Sequence, residues 1–341
     1  MTPSACILGC SGTVPTKAER AFFRSVNPWG FILFARNIET PGQVRKLTAT
    51  LRDLVGRDDA PILIDQEGGR VQRLGPPHWR RYPPARAYGD LAANDTLNRR
   101  ETARLGARLI ANDLRGLGIN VDCVPVADVP DPDGHEVIGD RAYGDTPELV
   151  AQLGRAACEG LIAGGVLPVI KHIPGHGRAK ADSHHELPVV DADWDELDAR
   201  DFAPFKMLSD MPMAMTAHVI YEAADKKKPA TTSKRVMRGV IRETIGFDGL
   251  VMSDDLSMKA LKGGLRERAE SALKAGCDVV LHCNGVLAEM KAVAAGTGAL
   301  KGKSGQRADA ALARLPKMVE PFDAAAGHAR FDAAFGGEWA S

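Results

Sequence analysis

The chain has 341 residues, and its 44 Lys and Arg balance 44 Asp and Glu to a formal net charge of zero. That balance argues against a nucleic-acid partner, whose phosphates call for a basic excess. An apolar fraction of 44% with 26% charged residues excludes disorder on a large scale, because such a composition can bury a core.

Residues 5–10 form the first of eight short apolar runs, each close to the length of a buried strand. The first basic residue, Lys17, follows that run, the reverse of a secretory leader. Ile7-Leu8-Gly9-Cys10 looks like a lipoprotein cleavage site but starts too early for one. No window approaches the roughly 18 apolar residues of a membrane span, so a cytoplasmic protein without a membrane partner is expected. The other runs are 30–34, 61–64, 119–124, 167–170, 213–216, 250–252 and 278–281. Their interiors are continuously apolar, which suits strands covered on both faces.

Helical signals lie between the runs. Thr40-Pro41 and Thr146-Pro147-Glu148 pair an N-cap hydroxyl with proline at the first helical position. Leu105, Leu109, Ile110, Leu114 and Leu117 share one helical face. Gly116, Gly118, Gly164, Gly165 and Gly276 stand where helices should stop. Residues 286–341 predict one or two closing helices and then a loose end. Strand and helix thus alternate eight times, which predicts an α/β fold, a single-domain (β/α)8 TIM barrel over residues 1–341. A doubly wound open sheet is the alternative, but no G-x-G-x-x-G turn follows the first run. The six cysteines contain no C-x-x-C pair and mostly sit in apolar runs, as buried thiols do.

In a barrel the residues just past the carboxyl ends of the strands line the active site. Here those positions are polar: Arg36 and Asn37; Asp65, Gln66 and Glu67; Asp128; Lys171 and His172; His218; Asp254 and Asp255; Asn284. Such a ring suits a ligand with many hydroxyls. Four of the nine histidines fall within residues 172–185, on a stretch whose Pro174, Gly175 and Gly177 forbid a regular helix. Three chemistries fit this loop. A metal could use His172 and His176, although a Pro/Gly loop is not the helix face of an H-x-x-x-H site. The cluster could be solvated turn polarity. Or Asp182 could orient His184 as a general acid and base near neutral pH. Asp254 is a candidate nucleophile, while either Asp254 or Asp255 could instead cap the next helix.

Lys-His-Ile-Pro-Gly-His-Gly (171–177), Asp-Ser-His (182–184), Ala-His-Val-Ile-Tyr (217–221), Gly-Phe-Asp-Gly-Leu-Val-Met-Ser-Asp-Asp-Leu-Ser-Met (246–258) and Asp-Gln-Glu-Gly-Gly-Arg-Val-Gln-Arg (65–73) resemble the NagZ-type β-N-acetylhexosaminidases of glycoside hydrolase family 3. Gly-Phe-Ile-Leu-Phe-Ala-Arg-Asn (30–37) looks like the early strand of that group. The resemblance runs from about residue 30 to 284, with Ile173 in place of the usual Phe. It implies a barrel enzyme without metal or cofactor that removes terminal β-linked N-acetylglucosamine with retention of configuration. It assigns the nucleophile to Asp254, the acid/base to His184 with Asp182 as its partner, and sugar binding to Asp65, Arg73, Arg141, Lys171 and His172. For a bacterial cytoplasmic member it implies a small sugar or muropeptide substrate, N-acetylglucosamine joined to 1,6-anhydro-N-acetylmuramyl peptides, and a role in peptidoglycan recycling. A monomer is expected. A phosphorylase on the same scaffold, a metal-dependent amidohydrolase and a non-catalytic sugar-binding protein are the competing readings.

Overall fold

Each of the eight apolar runs becomes one strand of a closed parallel barrel in the computed structural model, which describes residues 2–91, 96–183 and 185–339. The strands are β1 (Ser4–Gly9), β2 (Pro28–Leu33), β3 (Ile62–Ile64), β4 (Val121–Asp122), β5 (Leu167–Ile173), β6 (Met213–Thr216), β7 (Leu250–Asp255) and β8 (Val279–His282). They pair in chain order, and β8 closes on β1 with Ile7 opposite Leu281. The chain is therefore a (β/α)8 TIM barrel. Alternate residues serve two apolar layers. Ile7, Ile32, Leu63, Val169, Met215 and Leu281 belong to one cluster, while Leu8, Leu33, Ile64 and Ile170 belong to the larger one shared with the helices. Demand for hydrophobe on both faces explains why the runs lack polar alternation.

Two strands pass the carboxyl end of their apolar signal by three residues. β5 continues through Lys171, His172 and Ile173, and β7 through Asp254 and Asp255. These polar residues remain in strand geometry because neighbouring strand ends bond their side chains or backbone groups. The register of β5 on β6 shifts between Lys171 and Ile173. Such an irregularity breaks the two-residue alternation, and it accompanies consecutive side chains that both meet carboxylates at the mouth.

The helices start and stop where their capping chemistry dictates. In α1 (Lys17–Val26), Thr16 and Glu19 form a capping box. In α2 (Pro41–Val55) the Thr40 side chain accepts from Gln43 N. α3 (Thr96–Arg115) packs on α4 (Pro147–Ala163), whose cap is Thr146. Their approach depends on Gly160, where a Cβ would stand 2.2 Å from the Arg104 carbonyl oxygen. Residues 194–207 and Val236–Thr244 are helical in shorter or wider turns, and α5 (Leu265–Ala275) completes the ring before β8.

A small hairpin pairing Gln66–Gly68 with Val71–Gln72 stands at the exit of β3. Its polar sequence hides it, but Gly68 and Gly69 both take positive φ (96° and 54°), which glycine adopts at little cost. The carboxyl-terminal residues differ from expectation. Among the described residues three helices follow β8, namely α6 (Leu287–Ala295), α7 (Gly302–Leu312) and α8 (Ala324–Ala334). The last is docked rather than loose: Phe331 is fully buried against Tyr82 and Tyr88, and Arg80 pairs with Asp332. Among the described residues no helix is long and apolar enough to cross a membrane.

Candidate active site

Five charged side chains from three strand exits form one connected network at the barrel mouth. Asp65, just past β3, accepts from Lys171 Nζ at 3.0 Å and Arg73 Nη2 at 3.3 Å. Glu67, two residues on, takes the same Lys171 Nζ at 2.6 Å and a two-pronged Arg141 at 2.8 and 2.9 Å. Lys171 is 2% exposed at its side chain. A charge at that depth persists only when paired and hydrogen-bonded. Burial alone would push Asp65 and Glu67 up; Lys171 and Arg73, and Arg141 and Lys171, respectively hold both carboxyls below the ordinary range. Lys171 is in turn held above its ordinary value by the two carboxylates, despite its burial.

A second network fixes the histidine loop. Asp128, fully buried beyond β4, bonds His172 Nδ1 at 2.7 Å, His172 N at 3.1 Å and His176 N at 2.7 Å. The carboxyl is thereby kept below its ordinary range against the effect of burial. Nδ1 of His172 faces the carboxylate, so Nε2 is the ring atom left for a ligand. His176 lies behind it; burial, reinforced by His172, lowers it to about 4. Its Nε2 meets Ser183 Oγ at 3.1 Å, and Ala260 N donates to Ser183 O at 3.3 Å. Ser183 is therefore docked between the histidine loop and the exit of β7. Asp182 sits at the rim, where its Oδ2 lies 3.9 Å from His185 Nε2. Arg70, His135, Glu136 and Asp140 line a cavity of about 630 Å3 with it. His184 lies outside the described residues.

Asp254 and Asp255 end β7, both half-buried. Asp255 N donates to Asp254 Oδ1 at 2.7 Å. The Asp255 carboxylate accepts from Ser257 N and Cys283 N, each at 3.1 Å, and from Ser257 Oγ. It thus ties the β7 exit to the β8 exit. His218, fully buried, spends one ring nitrogen on Thr231 Oγ1 at 2.7 Å and the other on the Asp255 carbonyl at 3.0 Å. Asp65 just past β3 and Asp254 at the end of β7 stand at the carboxyl ends of parallel strands, so both carboxylates belong to the same barrel mouth.

The structure narrows the ring expected from sequence. Arg36 and Asn37 hold the Cys10 carbonyl, and Asn37 also holds that of Gly12, while Asn284 donates to Glu289. These three clamp loops of the β1, β2 and β8 exits. Glu67 and Asp128 carry more than the sequence reading assigned them. A weak signal for Glu67 was present, since it stands two residues from Asp65 at a strand exit. Its partner Arg141 is 74 residues away, and nothing local announces that pairing.

The family described as the glycosyl hydrolase family 3 N terminal domain matches residues 13–318. A beta-hexosaminidase of Nitrosomonas eutropha is 38% identical over 284 residues, covering 82% of this chain and 80% of that one. NagZ from Neisseria gonorrhoeae, solved in complex with N-trifluoroacetyl-D-glucosamine, is 32% identical with a TM-score of 0.84, covering 98% of this chain and 96% of that one. A glycoside hydrolase family 3 beta-N-acetylglucosaminidase from Paenibacillus sp. is 36% identical with a TM-score of 0.79, and this chain covers 62% of its length and 97% of its own. With these motifs on this barrel, the chain belongs to glycoside hydrolase family 3 and is a β-N-acetylhexosaminidase of the NagZ type.

Proposed function

We propose that this enzyme is a retaining exo-β-N-acetylglucosaminidase that removes terminal N-acetylglucosamine from peptidoglycan fragments, N-acetylglucosaminyl-1,6-anhydro-N-acetylmuramyl peptides, in peptidoglycan recycling. The observation that carries this reading is the pair of carboxylates at one barrel mouth. Asp254 ends β7 with one oxygen held by Asp255 N–H, and Asp65, just past β3, is clamped by Lys171 and Arg73. In this reading Asp254 stands under the anomeric carbon while Asp65 receives sugar hydroxyls. The Neisseria gonorrhoeae NagZ complex with an N-acylated glucosamine supports the sugar class.

In the proposed reaction an Asp254 oxygen attacks C1 as the C1–O bond to the leaving group breaks. His184 gives its proton to the departing oxygen, so a glycosyl-aspartate ester and a free alcohol result. Water then attacks C1, His184 takes its proton, and the ester bond breaks to regenerate the Asp254 carboxylate. Asp182 orients His184. Asp65 accepts from sugar hydroxyls, Arg73 donates and His172 donates or accepts at the ring's edge, and Lys171 and Arg141 hold Asp65 and Glu67 charged so that the acceptors are present before substrate arrives. A site prepared to hydrogen-bond hydroxyls discriminates against sugars that lack them.

The test is trapping with a 2-fluoro or 5-fluoro N-acetylglucosamine analogue followed by peptide mapping. The expected label is on Asp254; a label on Asp255, or none with full inactivation, would overturn the assignment. Comparing products with and without inorganic phosphate separates hydrolysis, the expected outcome, from the phosphorylase alternative.

A further inference from the structure

Past β6 the chain leaves the barrel mouth after Tyr221 and returns at Ala230, and the turn between them carries Lys226, Lys227 and Lys228. Together with Lys234 and Arg235 they line a concavity of about 650 Å3, and all five are exposed. Glu222 and Asp225 are the carboxylates in that lining. Asp225 is already engaged, accepting from Ser233 Oγ at 2.7 Å and Lys227 N at 3.0 Å. Among the described residues none of the five cations takes part in an ion pair, unlike Lys206 or Arg238 nearby. The patch is not a by-product of a basic protein, because the net charge is zero.

Its position follows from its attachments. Tyr221 Oη donates to the Gly175 carbonyl of the histidine loop. Ile220 and Tyr221 pair in parallel with Val189 and Val190, which follow that loop. The other foot of the turn, Thr231, bonds Thr216 and His218 at 2.8 and 2.7 Å. The basic turn is thus joined to the segment bearing Asp182 and His184. On the proposed reading the acid follows Asp182, which sits at the rim, so the leaving group is assigned to the rim that this turn extends.

We propose that Lys226, Lys227, Lys228, Lys234 and Arg235 form a docking surface for the free carboxylates of a peptide carried by the leaving group. This rests on the muropeptide reading above and deepens it. Exposed lysines remain hydrated, so they capture and orient an anionic peptide by charge complementarity and leave the chemical step unchanged. The effect falls on KM and on the salt dependence of kcat/KM.

The experiment compares three substrates in the full chain: an aryl β-N-acetylglucosaminide, N-acetylglucosaminyl-1,6-anhydro-N-acetylmuramic acid, and the same disaccharide with its peptide. For the triple variant Lys226→Gln/Lys227→Gln/Lys228→Gln, KM for the peptide-bearing substrate should rise roughly fivefold to tenfold, as expected when three exposed ion pairs are lost. Its kcat should hold, and both constants for the aryl and peptide-free substrates should stay put. In the unaltered enzyme, kcat/KM for the peptide-bearing substrate should fall more steeply with NaCl than for the peptide-free one. Equal salt slopes, or equal effects of the variant on both disaccharides, would overturn the inference. So would a variant that loses retention on anionic vesicles or nucleic acid while peptide discrimination is untouched. Hydrolysis of the aryl glycoside without cleavage of either disaccharide would overturn the substrate reading itself, a result distinct from the others.

Discussion

Glu67 neutralises two buried cations at once, Lys171 at 2.6 Å and Arg141 at 2.8 Å. Removing its charge would leave both under-compensated at a site where water cannot make up the loss. Glu67→Gln is therefore expected to destabilise the fold by about 3–5 kcal/mol, the cost of breaking a buried pair from one side. A urea titration measures it; a loss under ~1 kcal/mol would mean that solvent screens the cluster. A different residue-scale prediction concerns the proton. His184→Ala should reduce kcat/KM on disaccharides by orders of magnitude more than on activated aryl glycosides, whose leaving groups need little protonation. Equal losses on the two would remove His184 from the acid role. These two residues also mark the limits of legibility. The motif Asp-Ser-His at 182–184 singles out His184 locally as the proposed acid. Glu67 gains its importance from Arg141, a partner distant along the chain, and no local pattern encodes such a pair.

Among the elements, the strands were readable because a barrel buries both strand faces, leaving runs of pure hydrophobe such as 167–170. Their true ends were not. β5 and β7 each extend through polar residues, and what permits this is the pairing of Lys171 with Asp65 and of Cys283 N with Asp255 across strand exits. The hairpin after β3 was hidden for a related reason: Gln66 holds it by bonding the backbone of Arg73 and Leu74, work that a polar side chain does not advertise. The histidine loop was legible as irregular from Pro174, Gly175 and Gly177, but its docking was not. Ser183 anchors it to His176 at 3.1 Å and to Ala260. Ser183→Ala removes the first anchor and is expected to lower kcat severalfold on poor leaving groups, with little change on aryl glycosides, because a loosened loop presents the acid less often. Uniform loss on both classes would show that Ser183 supports the sugar site instead.

For the whole molecule, the buried titratable groups at the mouth decide how stability responds to acid. His176, 3% exposed, is lowered from 6.5 to about 4 by burial and by His172. The folded state therefore resists its protonation while the unfolded chain accepts the proton. Unfolding takes up a proton between these values, so stability contributed by neutral His176 is present above about pH 6.5 and drains away as pH falls toward 4. The loss amounts to about 3 kcal/mol by pH 4. Glu67 and Asp65 act in the same direction but lower down: their carboxyls are depressed, so their share is intact above the ordinary carboxylate range and lost as pH falls through the folded values. The two contributions separate by mutation. Urea midpoints taken at pH 7, 5.5 and 4 should show the unaltered protein losing about 3 kcal/mol more than His176→Gln over that interval. Parallel curves would mean that His176 is already charged in the fold. Asp128, which bonds the backbone N–H of His176, would then be the carboxylate that stabilises that charge.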